Sequence, residues 1–198
     1  MATLPVKWLN TFKHAFLRGT FPVEMSFVLE VKARNLLLAP KQLVERLRLK
    51  PDSHVLEIGA GSGFYSVEAA RAIPNGHLEL LDLQAEMLEK ARVKIENADL
   101  RNVGCTVADA SGVTPFADES FDAVFMVTVL GEVKQQGEFL REARRVLRRG
   151  GTLSISEHLP DPDFISIGKL RRMLEENGFR FARRFSWRWA YTANFEKV

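Results

Sequence analysis

The order of apolar and polar positions divides the chain at about residue 50. Ahead of it, apolar residues return every three or four positions: Trp8, Leu9, Phe12, Phe16 and Leu17 share one helical face, residues 27–38 carry a second and residues 43–49 a third. Pro51-Asp52 interrupts the pattern. Beyond it, short apolar runs alternate with longer amphipathic ones. Strands are predicted at 55–58, 78–83, 103–108, 121–127 and 152–157, and helices at 64–72, 85–97, 138–147 and 165–177. Arg149-Gly150-Gly151 reads as the glycine C-cap of the third of these helices, and Gly178 closes the fourth. Residues 179–185 and 191–195 read as a terminal antiparallel pair. Strands separated by helices of this length predict an α/β fold: a doubly wound, seven-stranded, mostly parallel sheet covered on both faces.

Composition narrows this to one domain. Of 198 residues, 46% are hydrophobic and 27% charged, and a chain of this length buries roughly 70% of the surface its unfolded form exposes. Residues 51–198 supply the sheet and residues 1–50 a helical cover. The single cysteine, Cys105, excludes a disulfide framework and a Cys-rich zinc site, and no metal site is expected. Following Gly104 inside a strand, Cys105 is predicted to be core packing. A thiol-poor chain, with no apolar run near the ~20 residues a membrane helix needs and no signal-like start, is expected to be cytoplasmic.

The formal charge of +3 hides an asymmetry. Residues 1–140 hold 15 basic and 18 acidic side chains, residues 141–198 hold 13 and 7. The basic last third, from Arg144 to Arg188, reads either as a surface for an anionic partner or as solvated helix faces. No aromatic-plus-basic RNA motif supports a nucleic-acid partner.

Candidate chemistry begins directly after the first strand, at Glu57-Ile58-Gly59-Ala60-Gly61-Ser62-Gly63-Phe64. A glycine-rich loop between strand and helix lets the backbone approach a ligand. Phe64 stands where a dinucleotide fingerprint needs its third glycine, and no Gly-Lys-Ser/Thr follows, so a pyrophosphate site and a nucleotide hydrolase are both disfavoured.

Five segments in order resemble the class I, Rossmann-like S-adenosylmethionine-dependent methyltransferases, and within them the ubiquinone/menaquinone-biosynthesis group. They are residues 55–63, Leu80-Leu81-Asp82-Leu83 with Glu86-Met87-Leu88, Val107-Ala108-Asp109-Ala110, Phe121-Asp122-Ala123-Val124, and residues 142–153. The resemblance implies a methyltransferase that uses S-adenosyl-L-methionine and releases S-adenosyl-L-homocysteine. It assigns cofactor binding to Glu57, Gly59, Ala60, Gly61, Asp82, Leu83, Asp109, Ala110 and Val127. Asp82 would accept from both ribose hydroxyls, Leu83 would pack on the base, Asp109 would accept from the adenine amino group while the Ala110 N–H donates to the ring, and Glu57 would face the methionine ammonium.

Methyl transfer from a sulfonium is an in-line displacement that needs alignment and exclusion of water more than a strong base. Two candidate proton acceptors follow the fourth and fifth strands: His158, whose ordinary pKa of about 6.5 suits the task, and Glu132. A glutamate opening the next helix would equally serve the helix dipole. After the fourth strand the chain reads Met126-Val127-Thr128-Val129, without the Asn/Asp-Pro-Pro-aromatic run of amino-directed nucleic-acid methylation, and a single cysteine excludes arsenite-type methylation. Trp8, Phe12, Phe16, Phe21, Met25 and Phe27 would make the cover apolar, which points to a small or lipid-like organic acceptor, and Lys7, Lys13 and Arg18 beside them allow peripheral membrane contact. The competing readings are a non-catalytic cofactor-binding partner module and a nucleic-acid methyltransferase.

Overall fold

The computed structural model describes residues 38–198. The helical patterns before residue 38, and with them most of the cover assigned to residues 1–50, lie outside the described residues. Helix α1 (Pro40–Leu47) comes first. It is followed by β1 (His54–Ile58), α2 (Ser66–Ala72), β2 (His77–Asp82), α3 (Ala85–Asn97) and β3 (Val103–Val107). The second half runs β4 (Phe121–Val127), α4 (Gln136–Val146), β5 (Leu147–His158), α5 (Ile167–Glu176), β6 (Phe179–Trp187) and β7 (Ala190–Lys197).

All seven strands form one sheet in the order β3-β2-β1-β4-β5-β7-β6. Strands β1 to β5 run parallel to one another, and β7 is antiparallel to both β5 and β6. The predicted fold class is therefore the observed one. From β1 the chain moves outward to β3, then crosses back to β4 on the other side of β1. Connections leaving β1 and β4 diverge at that reversal, which opens a crevice at the carboxyl ends of the strands.

The strands read as continuous apolar runs because both faces of the sheet are covered. In β4, Ala123, Phe125 and Val127 join Leu43, Leu47, Ala69, Leu88 and Ala91 on the side of α1, α2 and α3. Val124 and Met126 join Phe139, Leu140, Leu170 and Leu174 on the side of α4 and α5. Under α1 the packing turns polar. Ser154 Oγ donates to Asn194 Oδ1 at 2.9 Å, Ser156 and Thr192 share a hydrogen bond of 2.9 Å, Arg46 donates to Thr192 Oγ1 at 2.8 Å, and Asn194 Nδ2 donates to the Arg46 carbonyl at 2.7 Å. Each such bond contributes about 1 kcal/mol net, so α1 is clamped to β7, and β7 to β5, by direction-specific contacts rather than by apolar area alone.

Three local expectations are corrected. Helix α4 ends at Val146 and passes straight into β5, so Gly150 caps no helix. Its φ of +71° serves an irregularity in β5, where Phe121 pairs with Leu147 but Ala123 already pairs with Thr152. Glu132 lies in a turn ahead of α4, its N–H donating to the Val129 carbonyl, and opens no helix. Cys105 is exposed, not core: β3 is the outermost strand, and the layer covering the sheet thins at that margin.

The arginines of the last third are mostly exposed, and several of them are engaged by carboxylates and carbonyls instead of forming one free basic patch. Arg145 donates to Glu142, Asp118 and the carbonyls of Phe116 and Thr114. Arg148 pairs with Asp122, Arg180 with Glu196 and Arg171 with Glu175, and Arg144 reaches the carbonyls of Gly178 and Val198. Arg145 and Arg148 fasten the segment that leads into β4, and Arg144 ties α4 to the residues flanking β6 and β7, opposite the crevice.

Candidate cofactor and acceptor site

The loop after β1 is shaped by glycines at positive φ: Gly59 at +68°, Gly61 at +54° and Gly63 at +76°. A β-carbon on Gly59 would stand 2.4 Å from Val129 Cγ2, and one on Gly63 2.8 Å from the Ala91 β-carbon. The first glycine thus lets the β1 and β4 loops meet, and the last seats the loop on α3. The loop continues as turns to Tyr65, and α2 begins at Ser66, two residues beyond the prediction. The N–H groups of Gly59 and Ala60 donate to the Leu81 carbonyl at 2.8 and 3.3 Å, which holds the loop against the end of β2.

Asp82 ends β2 and organises its surroundings. Its Oδ2 accepts from the Gly61 N–H at 2.8 Å and its Oδ1 from the Gln84 N–H at 2.9 Å. A carboxylate offers about four acceptor positions, so two remain for a ligand's paired hydroxyls. Leu83 beside it is 51% exposed although large and apolar, as a side chain awaiting a flat partner would be. Past β3, Asp109 Oδ1 accepts from the Ser111 N–H at 2.7 Å, while Ala110 is buried among Ile58, Leu81 and Leu130. Glu57 is buried under the loop, and Ser66 Oγ donates to its Oε2 at 2.6 Å. Val127 is buried at the end of β4, beside the same crevice.

The ends of β4 and β5 form the other wall. Thr128 adopts φ +52°, a strained conformation for a β-branched residue, with its N–H bonded to the Ser156 carbonyl at 2.9 Å. Gly131 lies so close to Asp163 that a β-carbon would be 2.1 Å from the Asp163 carbonyl oxygen, joining the loops after β4 and β5. Between them the charge is acidic. Burial raises the Glu132 carboxyl to about 7, with Asp161, Asp163 and Asp82 adding repulsion in that order. Glu132 thus lies in the field of Asp82, the carboxylate that ends β2. His158 closes β5, paired in register with Ala190, and its carbonyl accepts from the Asp161 N–H at 3.2 Å.

Sequence reasoning missed Glu157. It is 1% exposed, and its Oε1 has no hydrogen-bond partner among the described residues. Burial raises it to about 8, Asp161 adds to the rise, the Ile165 N–H opposes it, and Glu132 and Asp163 raise it further. Tyr191, its register partner on β7, donates to the Ile165 carbonyl at 2.5 Å. The available signal was parity: Leu153, Ile155 and Glu157 alternate onto one face, and the first two are core. Among the described residues, no group of three His, Cys, Asp or Glu is arranged to hold a metal ion.

A sheet in the order 3-2-1-4-5-7-6, with a glycine cradle tied to a carboxylate on the neighbouring strand, defines the class I S-adenosylmethionine-dependent methyltransferase fold. Residues 56–155 match the family described as a methyltransferase domain, and the chain belongs to it. It is 36% identical over 131 residues to the demethylmenaquinone methyltransferase of Listeria welshimeri, an alignment covering 66% of this chain and 52% of that protein. An arsenite methyltransferase of Halobacterium salinarum is 31% identical over 150 residues, covering 66% of this chain and 38% of that protein. The chain therefore spans about half or less of the length of these relatives. A methyltransferase structure from Aquifex aeolicus shares the fold with a TM-score of 0.84 at 24% identity, over 90% of this chain and 100% of that one. S-adenosylmethionine is the cofactor of this family, and the glycine cradle with the doubly anchored Asp82 suits its ribose and amino-acid ends.

Proposed function

We propose that the chain transfers the methyl group of S-adenosylmethionine to an organic, lipid-like acceptor bound over the ends of β4 and β5. The observation that carries this is the Gly61–Asp82 link at the crevice, which aligns an acceptor-rich carboxylate with a backbone cradle. Bound there, the cofactor supplies an electrophilic methyl. In this reading Asp82 holds the ribose hydroxyls, Asp109 and Ala110 read the adenine edge, Leu83 stacks on the base, and Glu57, Gly59, Ala60 and Gly61 enclose the methionine end. Val127 fills the wall behind it.

Glu132 or His158 would accept the acceptor's proton. Burial gives Glu132 a carboxyl near 7, so it can hold or release a proton at neutral pH. The Listeria relative is named for demethylmenaquinone, which makes a reduced quinone with an isoprenoid tail the first acceptor to test. An arsenic acceptor is disfavoured because arsenic binds through soft thiolates and the chain has one cysteine, exposed on β3.

The test is calorimetry with S-adenosylhomocysteine, followed by transfer of labelled methyl to demethylmenaquinol and to a lipid extract. Micromolar binding with label in the organic phase is expected. Binding without transfer to either would leave a cofactor-binding module, and no binding at all would remove the cofactor assignment.

A further inference from the structure

The tip of the β6–β7 hairpin is the most exposed aromatic feature of the described chain. Trp187 ends β6 and Trp189 precedes β7, and they are 60% and 56% exposed. The turn between the strands is Arg188-Trp189, closed by the pairing of Trp187 with Ala190. Leaving two tryptophans in water forgoes a large hydrophobic gain, so the tip is built for contact. Arg183, Arg184 and Arg188 are exposed beside them and, among the described residues, none pairs with a carboxylate, whereas Arg148 pairs with Asp122 and Arg171 with Glu175; Arg184 donates to Ser186 Oγ. Arg183 and Arg46 flank the Phe185 ring at 5.9 and 5.4 Å, extending the aromatic and basic strip along β6.

Position matters as much as composition. Ala190 is the register partner of His158 at the end of β5, and the Leu159 N–H donates to the Trp189 carbonyl at 2.7 Å. The tip therefore stands at the carboxyl edge of the sheet, against the loop that follows β5, with the exposed Leu159 beside it.

We infer that the β6–β7 tip docks the protein on an anionic lipid surface, its tryptophans entering the interfacial layer and Arg183, Arg184 and Arg188 meeting the headgroups. Amphipathic rings interleaved with arginine are the side chains that settle at a membrane–water boundary. A nucleic-acid surface would use the same charges, but two protruding indoles at a hairpin turn form a point of insertion, not a strand-length stacking platform. Docking in this way turns the crevice toward the lipid. The inference stands whether or not the acceptor is a quinone, since its readout is binding.

The test is flotation of the full chain with vesicles of equimolar phosphatidylcholine and phosphatidylglycerol, beside pure phosphatidylcholine vesicles. Binding to the anionic vesicles with a blue shift of tryptophan emission is expected. W187A/W189A should weaken it by about tenfold or more, and R183Q/R184Q/R188Q should remove the preference for anionic lipid. S-adenosylhomocysteine affinity and melting temperature should stay at parental values in both variants, which separates docking from folding and from the cofactor site. Vesicle binding unchanged in W187A/W189A would overturn the inference. So would absence of vesicle binding with arginine-dependent retention on RNA, or a dimer that dissociates in the tryptophan variant.

Discussion

Glu157 offers the sharpest test of the reasoning about the acceptor wall. Its carboxyl is buried in β5 and titrates near 8, against 4.5 for the free side chain. The folded chain therefore binds this proton more tightly than the unfolded chain does. Stability then falls as pH rises from the unfolded value toward 8, by roughly 1.4 kcal/mol per pH unit. Across the whole interval, from 4.5 to about 8, this is of order 5 kcal/mol. Glu132, raised to about 7 by the same burial and the same aspartates, acts in the same direction over a narrower window. Glu157→Gln keeps the shape and removes the titration. Melting temperature would be followed from pH 5 to pH 9 for parent and variant, and the difference between the curves isolates Glu157 because other groups titrate in both. At about 2–4 °C per kcal/mol for a chain of this size, the parent should lose on the order of 10 °C more than Glu157→Gln between the two extremes. Parallel curves would show that Glu157 is ionised at neutral pH and that the wall is solvated.

Other consequences follow from the site and the fold. Asp82→Ala removes a carboxylate that can give two charge-assisted hydrogen bonds, and should weaken S-adenosylhomocysteine binding about a hundredfold or more in calorimetry; a loss under about threefold would mean that the ribose is held elsewhere. Gly59→Ala places a β-carbon 2.4 Å from Val129 Cγ2 at φ +68°. It should cost about 1–3 kcal/mol in urea unfolding, part of which Val129→Ala restores. If Glu132 takes the acceptor's proton, kcat/KM should rise with pH through about 7, and Glu132→Gln should flatten that limb. Arg46→Met, which releases Thr192, should lower stability by about 1 kcal/mol while leaving cofactor affinity intact.

What could be read along the chain was whatever depends on short range. Apolar runs of five to seven residues between amphipathic stretches announce strands buried on both sides, because helices on each face remove the need for polar alternation. The glycine loop is equally local, since positive φ and close approach are properties of three residues and their immediate neighbours. Asp82 and Asp109 were singled out by the family resemblance, and the structure shows where they lie: Asp82 ends β2, and Asp109 follows β3 by two residues.

Strand pairing and packing decided the rest. Whether the acidic residue in Ile155-Ser156-Glu157 faces water or core depends on which side α4 and α5 cover, and only the assembled sheet puts Glu157 in the field of Glu132, Asp161 and Asp163. Cys105 looked like core until the strand order made β3 an edge. The arginines looked like one basic region, yet packing pairs Arg145, Arg148 and Arg180 with distant carboxylates and leaves Arg183, Arg184 and Arg188 beside two exposed tryptophans. By itself the sequence determined the fold class and the glycine loop after β1, both set by local backbone preference and hydrophobic period. Tertiary structure alone decided the burial that raises the Glu132 and Glu157 carboxyls and the exposure of the hairpin tip, because desolvation and charge pairing depend on residues far apart in the chain.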